Sequence, residues 1–122
     1  MNRIIVFKVG GGEVPKPEAR VEPPFPKPNR QPDPKLISAG EVKFVEQCSR
    51  CHSLGPNVTP DLRKLPTAMR DIFPDIVLKG VMSNMGMGRF DDILNEKDVA
   101  AIDAFLLDEN WKGYKQQESV KK

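Results

Sequence analysis

The sequence predicts an all-helical domain entered through an extended, proline-rich arm, and three observations carry that prediction. Eight of the twelve prolines fall between Pro15 and Pro34, where they fix φ and remove backbone donors, so neither helix nor sheet ladder fits there. From Leu36 onward apolar residues recur at helical spacing, first over Gly40, Phe44 and Cys48 and later over Val99, Ile102, Phe105 and Leu106. A β-branched run occurs once, at residues 3–9, and a single strand needs a sheet that the rest of the chain does not supply.

Taken in order, residues 1–12 read as an orphan strand, Arg3-Ile4-Ile5-Val6-Phe7-Lys8-Val9, ended by Gly10-Gly11-Gly12. The apolar run stops at Lys8 after four residues and no small-residue cleavage site follows, so it reads as a strand and not as a leader peptide. Residues 13–34 form a semi-rigid linker. Residues 35–115 form the folded domain. Its first helix starts at Asp33-Pro34, or at Ser38 in a shorter version, and carries Leu36, Ile37, Gly40, Phe44, Val45 and Cys48.

Between Ser53 and Pro66 the prolines at 56, 60 and 66 forbid a long helix. A short helix follows over 67–73 with Thr67 as its cap, another over 75–81, and then a loop, Ser83-Asn84-Met85-Gly86-Met87-Gly88. The last helix is capped by Asn95, with Asp98 three residues on completing a capping box. Residues 116–122 read as a frayed polar tail.

Charge excludes some functions. Residues 1–35 hold seven basic against four acidic side chains and the remainder twelve against thirteen, so the folded part is near neutral. No basic run interleaved with aromatics supports nucleic-acid binding, and no stretch approaches the roughly 20 apolar residues of a membrane span.

The chemistry lies in Cys48-Ser49-Arg50-Cys51-His52. Two cysteines three apart can each add across one haem vinyl group, and the histidine that follows then lies under the iron, which is why this spacing signals c-type haem attachment. A zinc site needs four ligands, and these three residues exhaust every cysteine and histidine in the chain. A thioredoxin-like dithiol expects a βαβ context, and a plain disulfide leaves the histidine unexplained. With one histidine the second axial ligand must be methionine, another side chain, water or nothing. Of the methionines at 1, 69, 82, 85 and 87, Met85 and Met87 sit in the glycine-rich loop, where a thioether is presentable from the opposite haem face.

On these residues the chain resembles the class I cytochrome c fold, with Gly40…Phe44…Cys48 matching its first helix and Val99…Ile102…Phe105 its last. More narrowly it is similar to the C-terminal cytochrome domain of quinohaemoprotein alcohol dehydrogenases, which join a pyrroloquinoline quinone (PQQ) propeller to a haem c domain. The stretches carrying this resemblance are Arg3–Gly11, Pro60-Asp61-Leu62-Arg63, Gly86-Met87-x-x-Phe90-Asp91-Asp92-Ile93-Leu94, and Asp98-Val99-x-x-Ile102-x-x-Phe105-Leu106. The resemblance implies Met87 as axial ligand, with Met85 as the alternative. It implies a hydrogen bond from His52 to the Pro60 carbonyl, with Pro56 competing, and Arg63 paired to a haem propionate. It makes the first strand the last of a propeller. Ser53 departs from the glycine that often follows the histidine in this family.

The function so implied is single-electron transfer in the periplasm, from reduced PQQ to a soluble acceptor such as a blue copper protein or another cytochrome. The domain is then no enzyme in isolation; the parent chain is a PQQ-dependent alcohol dehydrogenase. The alternatives are a free-standing periplasmic cytochrome, and a haem peroxidase or sensor, which requires an open sixth position.

Overall fold

A computed structural model describes residues 6–13, 21–55 and 59–121. Four α-helices form the domain: α1 (Ile37–Gln47), α2 (Thr67–Asp71), α3 (Phe73–Lys79) and α4 (Glu96–Val120), with 3-10 turns at Leu62–Lys64 and Ser83–Met85. No strand occurs among the described residues. The predicted strand falls partly outside them, and Val6, Phe7 and Val9 are exposed.

The domain is organised by the crossing of α1 over α4. A Cβ at Gly40 would run into the backbone carbonyl of Ala101, so only glycine lets the two helices approach this closely. Beside it the rings of Phe44 and Phe105 pack with centroids 5.4 Å apart and planes tilted by 47°. Leu62, Phe73, Val77, Leu94, Val99, Ile102 and Leu106 complete the core. Removing each such side chain from water contributes about 1.5–3 kcal/mol.

Helix starts follow local chemistry. The Asn95 side chain accepts from the backbone N–H of Lys97 and Asp98, while the Asp98 carboxylate accepts from the N–H of Asn95, a complete capping box. Thr67, expected to cap α2, is instead its first helical residue; the Pro66 carbonyl takes the N–H groups of Met69 and Arg70. Pro74 sits in the first turn of α3, where its missing donor costs nothing. Helix α3 stops at Lys79 because Gly80 adopts a left-handed conformation with φ of 68°. Helix α1 starts at Ile37 and takes Ser38 into its first turn.

Two differences from the sequence reading concern the chain's ends. Helix α4 continues through residues 116–120, which polarity alone assigns to a frayed tail. Residues 21–34 of the proline-rich arm form neither helix nor strand, yet residues 22–30 lie along α4 instead of standing clear of the domain. The Gln117 amide brackets the backbone of Phe25, accepting from its N–H at 2.7 Å and donating to its carbonyl at 3.4 Å. Asn110, 1% exposed, donates to the Pro26 carbonyl. The Trp111 indole donates to the Arg30 carbonyl at 2.8 Å. Asp103 on α4 accepts from Arg30 of the arm at 2.5 Å and from buried Arg70 of α2 at 2.8 Å, so one carboxylate ties three segments together.

Candidate haem site

Helix α1 carries Cys48 to its C-terminal cap, and the chain then winds through one further turn. The N–H groups of Cys51 and His52 both donate to the Cys48 carbonyl, at 3.1 and 2.8 Å, which folds the Cys-x-x-Cys-His segment back on itself. Cys48 packs against the hydrophobic core, whereas Cys51 is exposed. Burial, with a smaller contribution from Cys51, pushes the Cys48 thiol up to about 11. Both thiols are free, and the tight turn keeps them on one short stretch of backbone.

His52 lies with Nδ1 3.1 Å from the carbonyl oxygen of Pro60. A carbonyl only accepts, so Nδ1 carries the proton and the Nε2 lone pair is left for a metal. This donor geometry fits a haem ligand, and it is the observation on which the fit of the group rests. Thr59, next to Pro60, donates its hydroxyl to the Cys51 carbonyl, closing the loop onto the turn a second time. Pro56 lies outside the described residues.

The sequence-predicted methionines occupy unlike surroundings. Met87 is half-buried and packs against the core, together with Leu65, Leu78, Phe90 and Cys48. Met85 is 78% exposed, at the end of the 3-10 turn before Gly86. The loop bearing them is anchored at both ends: the N–H of Met87 donates to the Met82 carbonyl, and that of Phe90 donates to the Val77 carbonyl of α3.

Arg63 is already engaged within the chain. Its guanidinium forks onto Asp61, with Nε–Oδ1 at 3.0 Å and Nη2–Oδ2 at 2.7 Å, and it lies 5.3 Å from the centroid of the Phe25 ring. The Asp61 hydrogen bond holds the guanidinium's affinity for its proton above the ordinary value. Sequence reasoning missed Asp61, Thr59 and Phe25. The first had a signal available, since an aspartate two residues before an arginine at a turn readily takes the following N–H; Phe25 had none.

One family match and three relatives bear on this arrangement. Residues 35–106 match the family described as cytochrome c oxidase, cbb3-type, subunit III. The chain is 32% identical over 124 residues to the quinohemoprotein alcohol dehydrogenase ADH IIB of Pseudomonas putida, covering 93% of this chain and 17% of that protein. It is 31% identical over 126 residues to the dehydrogenase subunit of a quinone alcohol dehydrogenase from Komagataeibacter europaeus, again across 17% of that protein. It is also 29% identical over 127 residues to the lupanine 17-hydroxylase [cytochrome c] of a Pseudomonas species, 18% of whose length is covered. The chain therefore spans under a fifth of the curated relatives it matches. Because the family match begins before α1 and ends within α4, it takes in the whole attachment turn, and the chain belongs to this cytochrome c family as a haem c electron-transfer domain.

Proposed function

We propose that this domain takes single electrons from reduced PQQ in the catalytic part of an alcohol dehydrogenase and passes them to a soluble periplasmic acceptor, a blue copper protein or another cytochrome. Cys48 and Cys51 would hold the haem through thioethers, and His52 and Met87 would supply the nitrogen and sulfur donors to its iron. When bound, the haem supplies a one-electron couple at iron, which a thioether ligand biases toward the ferrous state. The observation that carries the ligand assignment is the pairing of His52 Nδ1 with Pro60 directly after the cysteine turn, which leaves the lone pair of the opposite ring nitrogen for iron. Met87 is favoured over Met85 because it is packed and half-buried, and a packed thioether loses less freedom on ligation.

The residues of this chain do the positioning. Pro60 fixes the tautomer and angle of His52, and the bonds of Met87 and Phe90 fix the methionine loop. Leu65, Leu78 and Phe90 pack against the core as Met87 does, an apolar setting for a thioether ligand. Residues 1–12 are read as a closing propeller strand and 13–34 as the connecting arm, a reading supported by two alcohol dehydrogenases that the chain matches across only 17% of their length. Among the described residues no helix is long and apolar enough to cross a membrane.

The visible spectrum of the matured chain tests the reading. A low-spin c-type spectrum with the weak long-wavelength sulfur-to-iron band is expected in the oxidised form. A high-spin, five-coordinate spectrum overturns it and favours a peroxidase or sensor. Met87→Ala is expected to give a high-spin or misligated iron and Met85→Ala to leave it unchanged; the reverse moves the ligand to Met85.

A further inference from the structure

We propose that the proline-rich arm sets the hydrogen bond of the haem histidine, with Phe25 as the positioning residue. The inference rests on the reading that His52 is the iron ligand. The acceptor of His52, the Pro60 carbonyl, opens a short segment that has little apolar anchoring except Leu62 and Leu65. Two of its side chains reach the arm instead. Arg63 and Lys64 lie 5.3 and 5.1 Å from the centroid of the Phe25 ring, and Lys64 pairs with the Glu22 carboxylate at 3.5 Å.

Arg63 passes that restraint toward the histidine. Its backbone N–H and its guanidinium both bond the Asp61 carboxylate, and the Lys64 N–H bonds the Asp61 carbonyl at 2.9 Å. Asp61 adjoins Pro60 directly. From arm to ligand the path is therefore Phe25, Arg63, Asp61, Pro60 and His52, each step a contact or a covalent neighbour. The Phe25 ring also occupies the space that Gly113 of α4 leaves open; a Cβ at that position would overlap the ring. Gln117, one turn further along α4, holds the Phe25 backbone.

The direction of the effect follows from ligand basicity. A firm Nδ1–H···O=C bond makes the imidazole a stronger donor and favours ferric iron. Loosening Pro60 weakens that donor, so the potential rises when the arm is displaced.

The experiment uses the full matured chain and measures midpoint potential by redox titration. Phe25→Ala removes the ring and Gly113→Ala crowds it, and Gly113→Ala also places a better helix former in α4, so the domain stays folded. Both are expected to raise the ferrous-to-ferric ratio at fixed electrode potential about threefold, about 28 mV on the 59 mV-per-decade scale of a one-electron couple. Their spectra are expected to stay low-spin. Phe25→Tyr keeps the ring and is expected to keep the wild-type potential. Trp111→Phe frees only the far end of the arm, at Arg30, and is expected to do the same. An unchanged potential in either Phe25→Ala or Gly113→Ala overturns the proposal, as does a shift of equal size in Trp111→Phe or Phe25→Tyr. A high-spin spectrum in the unmodified chain overturns the ligation reading itself, before any variant is made.

Discussion

The two halves of α4 are held by different physics. The first half meets α1 through apolar side chains, Val99, Ile102, Phe105 and Leu106, all buried in the core. The second half meets the arm through hydrogen bonds between the side chains of Asn110, Trp111 and Gln117 and backbone groups of Phe25, Pro26 and Arg30. Each contact closes over a glycine. At Gly40 the obstacle to a side chain is the backbone of α4, which has nowhere to go; at Gly113 it is the ring of Phe25, on a segment able to lift away. The first contact joins two helices of the core, and the second is expected to be an attachment that the core folds without.

The strongest way to break this comparison is to put alanine at both glycines. Alanine favours a helix over glycine by about 1 kcal/mol, so propensity alone predicts that both variants gain stability. Gly40→Ala is instead expected to lose about 3 kcal/mol or more in urea unfolding, because α1 and α4 must separate along their length. Gly113→Ala is expected to unfold near the wild-type midpoint while the arm, residues 21–34, becomes open to mild proteolysis. Equal losses in the two variants would show the arm to be as integral as α1.

The same division decides what was legible in the sequence. The α1–α4 crossing announces itself through the spacing of Gly40, Phe44 and Cys48 and of Val99, Ile102 and Phe105, because apolar burial repeats with the helical period. The spacing of Cys48, Cys51 and His52 is equally plain, since c-type attachment chemistry calls for these residue types at set intervals. The seam with the arm leaves no such trace. Phe25 and Gln117 are 92 residues apart, and their bond joins a side chain to a backbone that any residue would offer. For that reason residues 116–120 look like a polar tail and are helical, and the contacts of Arg63 with Asp61 and Phe25 go unannounced. The start of α2 misleads for a local reason, because Thr67 has a capping side chain yet Pro66 already provides the turn.

A smaller effect is expected within the polar seam. Asn110 is buried, so Asn110→Ala removes the donor of the Pro26 carbonyl and leaves space beside it. A carbonyl stranded in the interior costs about 1–3 kcal/mol, but the arm can detach and give Pro26 to water. The expected loss is therefore at the low end, about 1 kcal/mol, with the arm cut faster by protease and the core unfolding little changed. A loss well above this in core stability would mean that the arm cannot leave without disturbing the domain.

The smallest effect is expected at the start of α4, where the apolar half itself depends on polar groups. Asn95 accepts from two backbone N–H groups, and Asp98 answers by accepting from the Asn95 N–H at 3.1 Å. These groups are near solvent, so water replaces part of what is lost, and Asn95→Ala is expected to cost about 1 kcal/mol. Asp98→Ala removes the reciprocal bond and the 3.8 Å pairing with Lys43 of α1, which is partly exposed and contributes little. The two changes act on one turn of helix: once Asn95 is gone the turn frays, and the Asp98 bond has less structure left to hold. The double variant is therefore expected to lose less than the two single losses combined, a coupling that unfolding of all three variants measures directly. Full additivity would mean that the two bonds cap the helix independently, and that the core contacts from Val99 onward hold this end of α4 without help from its cap.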